Sequence, residues 1–85
     1  MATQEGTITA TGAKLPITLG GNLSLSLRDF GTATIVLERA VNGKDFSAVE
    51  VFTTNIEKVG DGNGDLYRLN CTAFTLGTIA YTLKG

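Results

Sequence analysis

Between Gly60 and Asp65 the chain reads Gly-Asp-Gly-Asn-Gly-Asp, so Asp61, Asn63 and Asp65 set three side-chain oxygens two residues apart. That spacing is how the first half of a calcium loop gathers hard ligands around a hard cation. The second half is missing. Leu66 stands where such a loop needs glycine, and Thr72 where it needs a bidentate glutamate. A turn in which Gly and Asn take left-handed backbone conformations explains the same letters without an ion. The turn is the stronger reading, and an ion at Asp61, Asn63 and Asp65 is the lesser alternative.

The other reactive side chains are equally short of partners. Glu38, Glu50, Glu57 and the aspartates are raw material for the acid and base of a glycosidase. Such a pair needs a pocket that desolvates one acid, and residues that alternate with apolar neighbours read as a solvated strand face. Cys71 is the single cysteine and the chain has no histidine. A Cys/His metal centre, a Ser-His-Asp triad, a Cys-His dyad and an intrachain disulfide are therefore excluded within one chain. Cys71 continues the series Tyr67, Leu69 and reads as a buried small hydrophobe. Tyr67 and Tyr81 have rings that can stack on a sugar or a base, yet they run in phase with Leu69 and Leu83 and belong to the core. No catalytic, cofactor-binding or metal-ligating set is expected, and the chain reads as a non-enzyme.

Charge and hydropathy narrow the partners. Arg28, Arg39, Lys58 and Arg68 are scattered, and seven Lys plus Arg against eight Asp plus Glu leave a net charge of −1. Neither nucleic acid nor an anionic membrane is the expected partner of so balanced a chain. No apolar run approaches the roughly 18 residues of a membrane span. Thr3, Gln4, Glu5 and Gly6 follow the start where a secretory signal would turn apolar, so the start reads as mature. Asn22-Leu23-Ser24 and Asn70-Cys71-Thr72 match the N-glycosylation pattern, but without secretion the modification has no route.

Eighty-five residues leave room for one core, and a period of two runs through nearly all of them. Leu23, Leu25 and Leu27 alternate with Ser24 and Ser26 over 22–28, and Ala33, Ile35 and Leu37 alternate with Thr34, Val36 and Glu38 over 32–39. Val49, Val51 and Thr53 repeat the pattern, as do Tyr67, Leu69, Cys71 and Ile79, Tyr81, Leu83. Weaker strands are expected at 7–10, 15–19 and 55–59, with Pro16 at an edge or a strand start because it has no amide to donate. Asn42-Gly43-Lys44 predicts a hairpin turn, and 60–65 a second turn. The expected fold is all-β: a small antiparallel β-sandwich, Ig-like or jelly-roll-like, of about seven or eight short strands. Residues 1–21 form an N-terminal arm or the first strands, and 22–85 the sandwich core. Val36, Phe52, Phe74 and Leu76 fall out of phase with the inferred core faces and form a candidate self-association surface.

The segment Gly31–Lys84 resembles a family of small phage virion β-sandwich proteins. The likeness is carried by Gly-Thr-Ala-Thr-Ile-Val-Leu-Glu-Arg (31–39), Asn-Gly-Lys-Asp-Phe (42–46) and Val-Glu-Val-Phe-Thr (49–53). It continues in Leu-Tyr-Arg-Leu-Asn-Cys-Thr-Ala-Phe (66–74) and Gly-Thr-Ile-Ala-Tyr-Thr-Leu (77–83). Relatives often place tryptophan just after the central turn, where this chain has Phe46. The resemblance implies a capsid decoration or cement protein located in the virion. It would form a homo-oligomer, with a trimer favoured, and contact the major capsid protein or another virion protein. The alternative is a carbohydrate-binding or tail- or fibre-associated β-sandwich module. The spacing of four between Tyr67 and Cys71, rather than two, argues against an antibody-type domain.

Overall fold

The computed structural model of the chain describes residues 3–40 and 42–85. Among the described residues nine strands are present: β1 (Thr3–Ile8), β2 (Gly12–Ala13), β3 (Ile17–Leu19), β4 (Asn22–Arg28), β5 (Thr32–Ala40), β6 (Ser47–Phe52), β7 (Ile56–Asp61), β8 (Asp65–Leu76) and β9 (Ile79–Lys84). Among the described residues there is no helix. One sheet runs β1-β9-β4-β7, and the other runs β2-β8-β5-β6 with β3 also on β8. All pairings are antiparallel.

β2 and β3 are two pieces of one edge strand. Gly12 and Ala13 face Cys71 and Asn70, Lys14 donates its amide to the Leu69 carbonyl, and Ile17 faces Tyr67 one residue out of step. Leu15 and Pro16 absorb the shift, and Pro16 stands where its missing amide breaks no ladder. Counted this way the sandwich has eight strands. Apart from the β5–β6 hairpin, successive strands lie in opposite sheets, and the first strand pairs with the last. That order is a jelly roll, built from two Greek keys, and it resolves the two sandwich types left open by the sequence.

The core forms where the alternating strands turn their apolar sets inward. Leu23, Leu25 and Leu27 of β4 meet Ile35 and Leu37 of β5 and Leu69 and Cys71 of β8 across the sandwich, with Ile79, Tyr81 and Leu83 beside them. Each fully buried side chain of this size contributes about 1.5–3 kcal/mol. Ile8 and Leu19, within the segment expected as an arm or as first strands, are also buried in this cluster. β1, β2 and β3 therefore belong to the same sandwich, while Met1 and Ala2 of that segment lie outside the described residues.

The out-of-phase surface is corrected in part. Phe52 is 4% exposed inside the core, and Phe74 packs against it. β-Bulges are the reason. Leu37 faces Glu50 while Glu38 faces Ala48, so Val49 is an extra residue on β6. On β8, Thr72 and Thr75 are extra, which turns Phe74 inward opposite Ala33. The phase of β6 is thus set by Phe52 opposite Ile35, and Val49 and Val51 face out. Val36 and Leu76 do face out, Val36 buried among its neighbours and Leu76 exposed.

Candidate functional site

The Asp61–Asp65 stretch folds as a turn. Asn63 and Gly64 both have positive φ, 58° and 77°, and the Asp65 amide donates to the Gly62 carbonyl at 3.1 Å, as in the mirror-image turns that favour Asn-Gly. One oxygen of each aspartate is already engaged. Asp61 Oδ1 accepts the Asn63 amide at 2.9 Å. Asp65 Oδ2 accepts from Arg39 Nε at 2.7 Å and Nη2 at 2.5 Å. The Asp65 hydrogen bond, ahead of burial, which opposes it, raises the Arg39 pKa above its ordinary value. No group of three or more His, Cys, Asp or Glu placed to hold a metal ion forms among the described residues. Gly62 is buried because the turn crosses from β7 in one sheet to β8 in the other over the backbone of Leu19.

Glu38, Glu50 and Glu57 are also engaged, and not with one another. Glu38 on the outer face of β5 takes Arg68 Nε at 2.6 Å and Asn70 Nδ2 at 3.3 Å, and the Arg68 guanidinium lies 4.1 Å from the Phe46 ring centre. Glu50 bonds Lys58 at 2.6 Å, and Glu57 accepts the Ser26 hydroxyl. Glu50 faces Leu37 and Lys58 faces Leu25, so both charges sit on the inner sides of edge strands. Their bridge spans the two sheets at the open side of the sandwich. Of the scattered cations, Arg28 makes no salt bridge among the described residues.

Cys71 is buried with Sγ 3.3 Å from the Ala73 carbonyl, and burial pushes its thiol pKa up. Tyr67 and Tyr81 lie in facing sheets, both in the core, and burial raises the Tyr81 pKa as well. Asn22 is exposed on β4, whereas Asn70 is half-buried against Glu38.

What the molecule offers to solvent is surface. A cleft of about 630 Å³ lies beside the β5–β6 turn, lined by Arg39, Asn42, Asp45, Ser47, Ala48 and Val49. Asn42 shapes this turn, its Oδ1 accepting the amides of Lys44 at 3.0 Å and Asp45 at 2.9 Å. Val49, Val51 and Val59 are 48%, 56% and 80% exposed on the edge strands β6 and β7. A shallower groove of about 420 Å³ crosses the outer side of β1, β9 and β4, lined in part by Glu5, Thr7, Arg28, Ala80 and Thr82. Neither groove is signalled by a local motif, because each depends on which strands lie side by side.

No protein-family model matches this chain, and no curated protein matches it. Among solved structures, it is similar to the Yersinia pseudotuberculosis-derived mitogen, with a TM-score of 0.58 and 17% identity over 98% of this chain and 83% of that one. At that identity the likeness is one of fold, a two-sheet all-β sandwich.

Proposed function

We propose that this chain is a structural protein of a phage virion, a capsid decoration or cement protein that associates with its own copies and binds the shell by surface contacts without turning over a substrate. One observation carries the reading: Glu38, Glu50, Glu57, Asp61 and Asp65 are bonded to neighbouring groups of the sandwich, while sheet faces and exposed edge-strand valines are left for contact. Jelly rolls serve as viral capsid domains and as lectins, so the architecture is compatible with this duty and does not choose it. The phage-like strings between Gly31 and Lys84 favour the virion. Many weak contacts made together would hold such a coat, since avidity multiplies modest affinities. The mitogen likeness transfers no activity.

The carbohydrate-binding reading has one specific observation in its favour, the cleft where Arg39, Asn42, Asp45 and Ser47 stand beside Ala48 and Val49. Among the described residues no aromatic lines it, and sugar sites usually stack a ring on an aromatic face. Cosedimentation of the pure protein with purified shells, beside a glycan array, tests the proposal. Retention on shells without glycan binding is expected. Glycan binding with no retention on shells would transfer the assignment to the rival.

A further inference from the structure

The sandwich has four sheet edges, and three carry features that discourage a further strand from adding. The β2/β3 edge is interrupted at Leu15 and Pro16. β6 has its bulge at Val49 and the inward charge of Glu50, and β7 has the inward charge of Lys58. β1 has none of these. Its six residues pair with β9 without a register shift, contain no Pro, Lys or Arg, and have no strand on the other side among the described residues. On this strand Gln4 donates Nε2 to the Leu15 carbonyl at 2.8 Å, yet its Oε1 is shielded from solvent with no hydrogen-bond partner.

We infer that β1 is where two copies of this chain join, strand to strand and antiparallel about a two-fold axis at Gly6, fusing two four-stranded sheets into one. The inference rests on the self-association proposed above and assigns the surface that performs it. The two-stranded period restricts the register. With the axis perpendicular to the sheet, outer residues of one copy must face outer residues of the other. The outer set of β1 is Thr3, Glu5 and Thr7, in line with Lys84, Thr82 and Ala80 of β9. Centring on Glu5 would oppose two carboxylates, which is destabilising. Centring on Gly6 places Glu5 opposite Thr7 of the second copy and Gln4 opposite its Ile8, and every residue from 4 to 8 finds a partner.

Charge complementarity supports this register. The row through Arg28, Ala80 and Thr7 continues into Glu5 of the second copy, and Arg28 has no salt bridge among the described residues. Strands lie about 4.8 Å apart, so the Cα atoms of Arg28 and that glutamate are separated by roughly 14 Å, a span that an arginine and a glutamate side chain can bridge together along the row over Ala80 and Thr7. The two-fold axis makes the attraction twice. An isologous contact of this kind closes on itself, giving a dimer rather than the trimer favoured by the family resemblance.

Sedimentation equilibrium of the full chain at low salt, with Thr7→Glu and Thr7→Lys variants, tests the assignment. Thr7 is exposed, and circular dichroism checks that each variant keeps the fold. Thr7→Glu opposes Glu5 of the other copy, once on each side of the axis, and is expected to weaken dimerisation by about 3- to 30-fold, while Thr7→Lys tightens it by a similar factor. Loss of folding cannot produce opposite signs. A dimer unchanged by both variants, a dimer weakened by lysine, or a trimeric wild type would overturn the β1 assignment and leave self-association standing. A wild type that stays monomeric at every concentration would remove both.

Discussion

Gly62→Ala is a small substitution that this fold should tolerate poorly. A Cβ at Gly62 would lie 2.2 Å from the Leu19 carbonyl oxygen, 2.7 Å from Leu19 Cβ and 2.9 Å from the Leu19 carbonyl carbon. Relief requires moving backbone by about an ångström, because no flexible side-chain end is involved. Two hydrogen bonds pin the turn in place, Gly62 N–H to the Gly21 carbonyl at 2.8 Å and Gly64 N–H to the Leu19 carbonyl at 2.9 Å. Straining both costs about 1 kcal/mol each. Displacing Leu19, which is fully buried, adds an overpacking cost of about 1–3 kcal/mol. The reduced freedom of the unfolded chain offsets about 0.4–1 kcal/mol. A net loss of about 2–4.6 kcal/mol follows, against a total of roughly 4–13 kcal/mol for a chain of this length.

In a melt followed by circular dichroism that loss lowers Tm by roughly 10–25 °C. Gly60→Ala is the matched control, two residues away on β7 with no atom within 4 Å of the added methyl. It should change stability by no more than about 1 kcal/mol. If Gly62→Ala melts with the wild type, the close crossing of the turn over Leu19 is wrong, and with it the passage of the chain between sheets at that point.

Reversing the Glu50–Lys58 bridge as E50K alone opposes two like charges and should cost about 0.5–1 kcal/mol in urea titrations, small because both side chains are partly exposed. The double reversal E50K/K58E should recover most of the loss, and failure to recover would mean that the two charges do not meet. Stability should hold through neutral pH and decline above pH 9.0–10.0, the ordinary values of cysteine and tyrosine, because burial raises both Cys71 and Tyr81. Groups with raised folded values bind more protons when folded, so their contribution is present below the unfolded values and lost as pH rises through the folded ones. Urea titrations from pH 7 to 11 check this, and a stability that rises across pH 9 would contradict it. Cys71 should react with a thiol reagent only as fast as the sandwich opens, at least about 100-fold slower than in denaturant, since only opened molecules present the thiol. Labelling at the unfolded rate in native buffer would refute its burial.

Legibility of the sequence followed how many neighbours a strand has and whether its alternation is unbroken. β4 is flanked by β7 and β9, its leucines alternate with serines without interruption, and its span and faces were both readable. Alternation puts the first strand at 7–10, later than β1 begins, because the inner positions before Ile8 are Gln4 and Gly6, which carry no apolar signal. On β6 the valines at 49 and 51 outvoted Phe52, and only the bulge opposite Leu37 and Glu38 reveals that the ring is the inward residue. The turn at 60–65 was legible as a turn, but nothing local says that it changes sheets. The pairs Arg39–Asp65 and Glu38–Arg68 lie 26 and 30 residues apart and depend on β5–β8 register, which alternation alone does not supply.

The same dependence on distant pairing bears on whether residues 1–21 can be removed as an arm. Deleting them takes Ile8 and Leu19 from the core, each nearly or fully buried. Large-to-small changes at such sites cost about 2–5 kcal/mol each, and whole deletion leaves larger voids. It also strips β9 of the strand it pairs with from Ile79 to Lys84, and leaves the amides of Gly62 and Gly64 without the carbonyls of Gly21 and Leu19. The combined loss is comparable with the entire stability of a domain this small, roughly 4–13 kcal/mol. A fragment of residues 22–85 is therefore expected to lack a cooperative melt and to show a collapsed proton NMR spectrum. Adding the 1–21 peptide should restore dispersion, because the missing strands pair along edges that the fragment leaves open. A fragment that melts cooperatively on its own would show that β1 to β3 are accessory to the sandwich, and that Ile8 and Leu19 cover a core already complete without them.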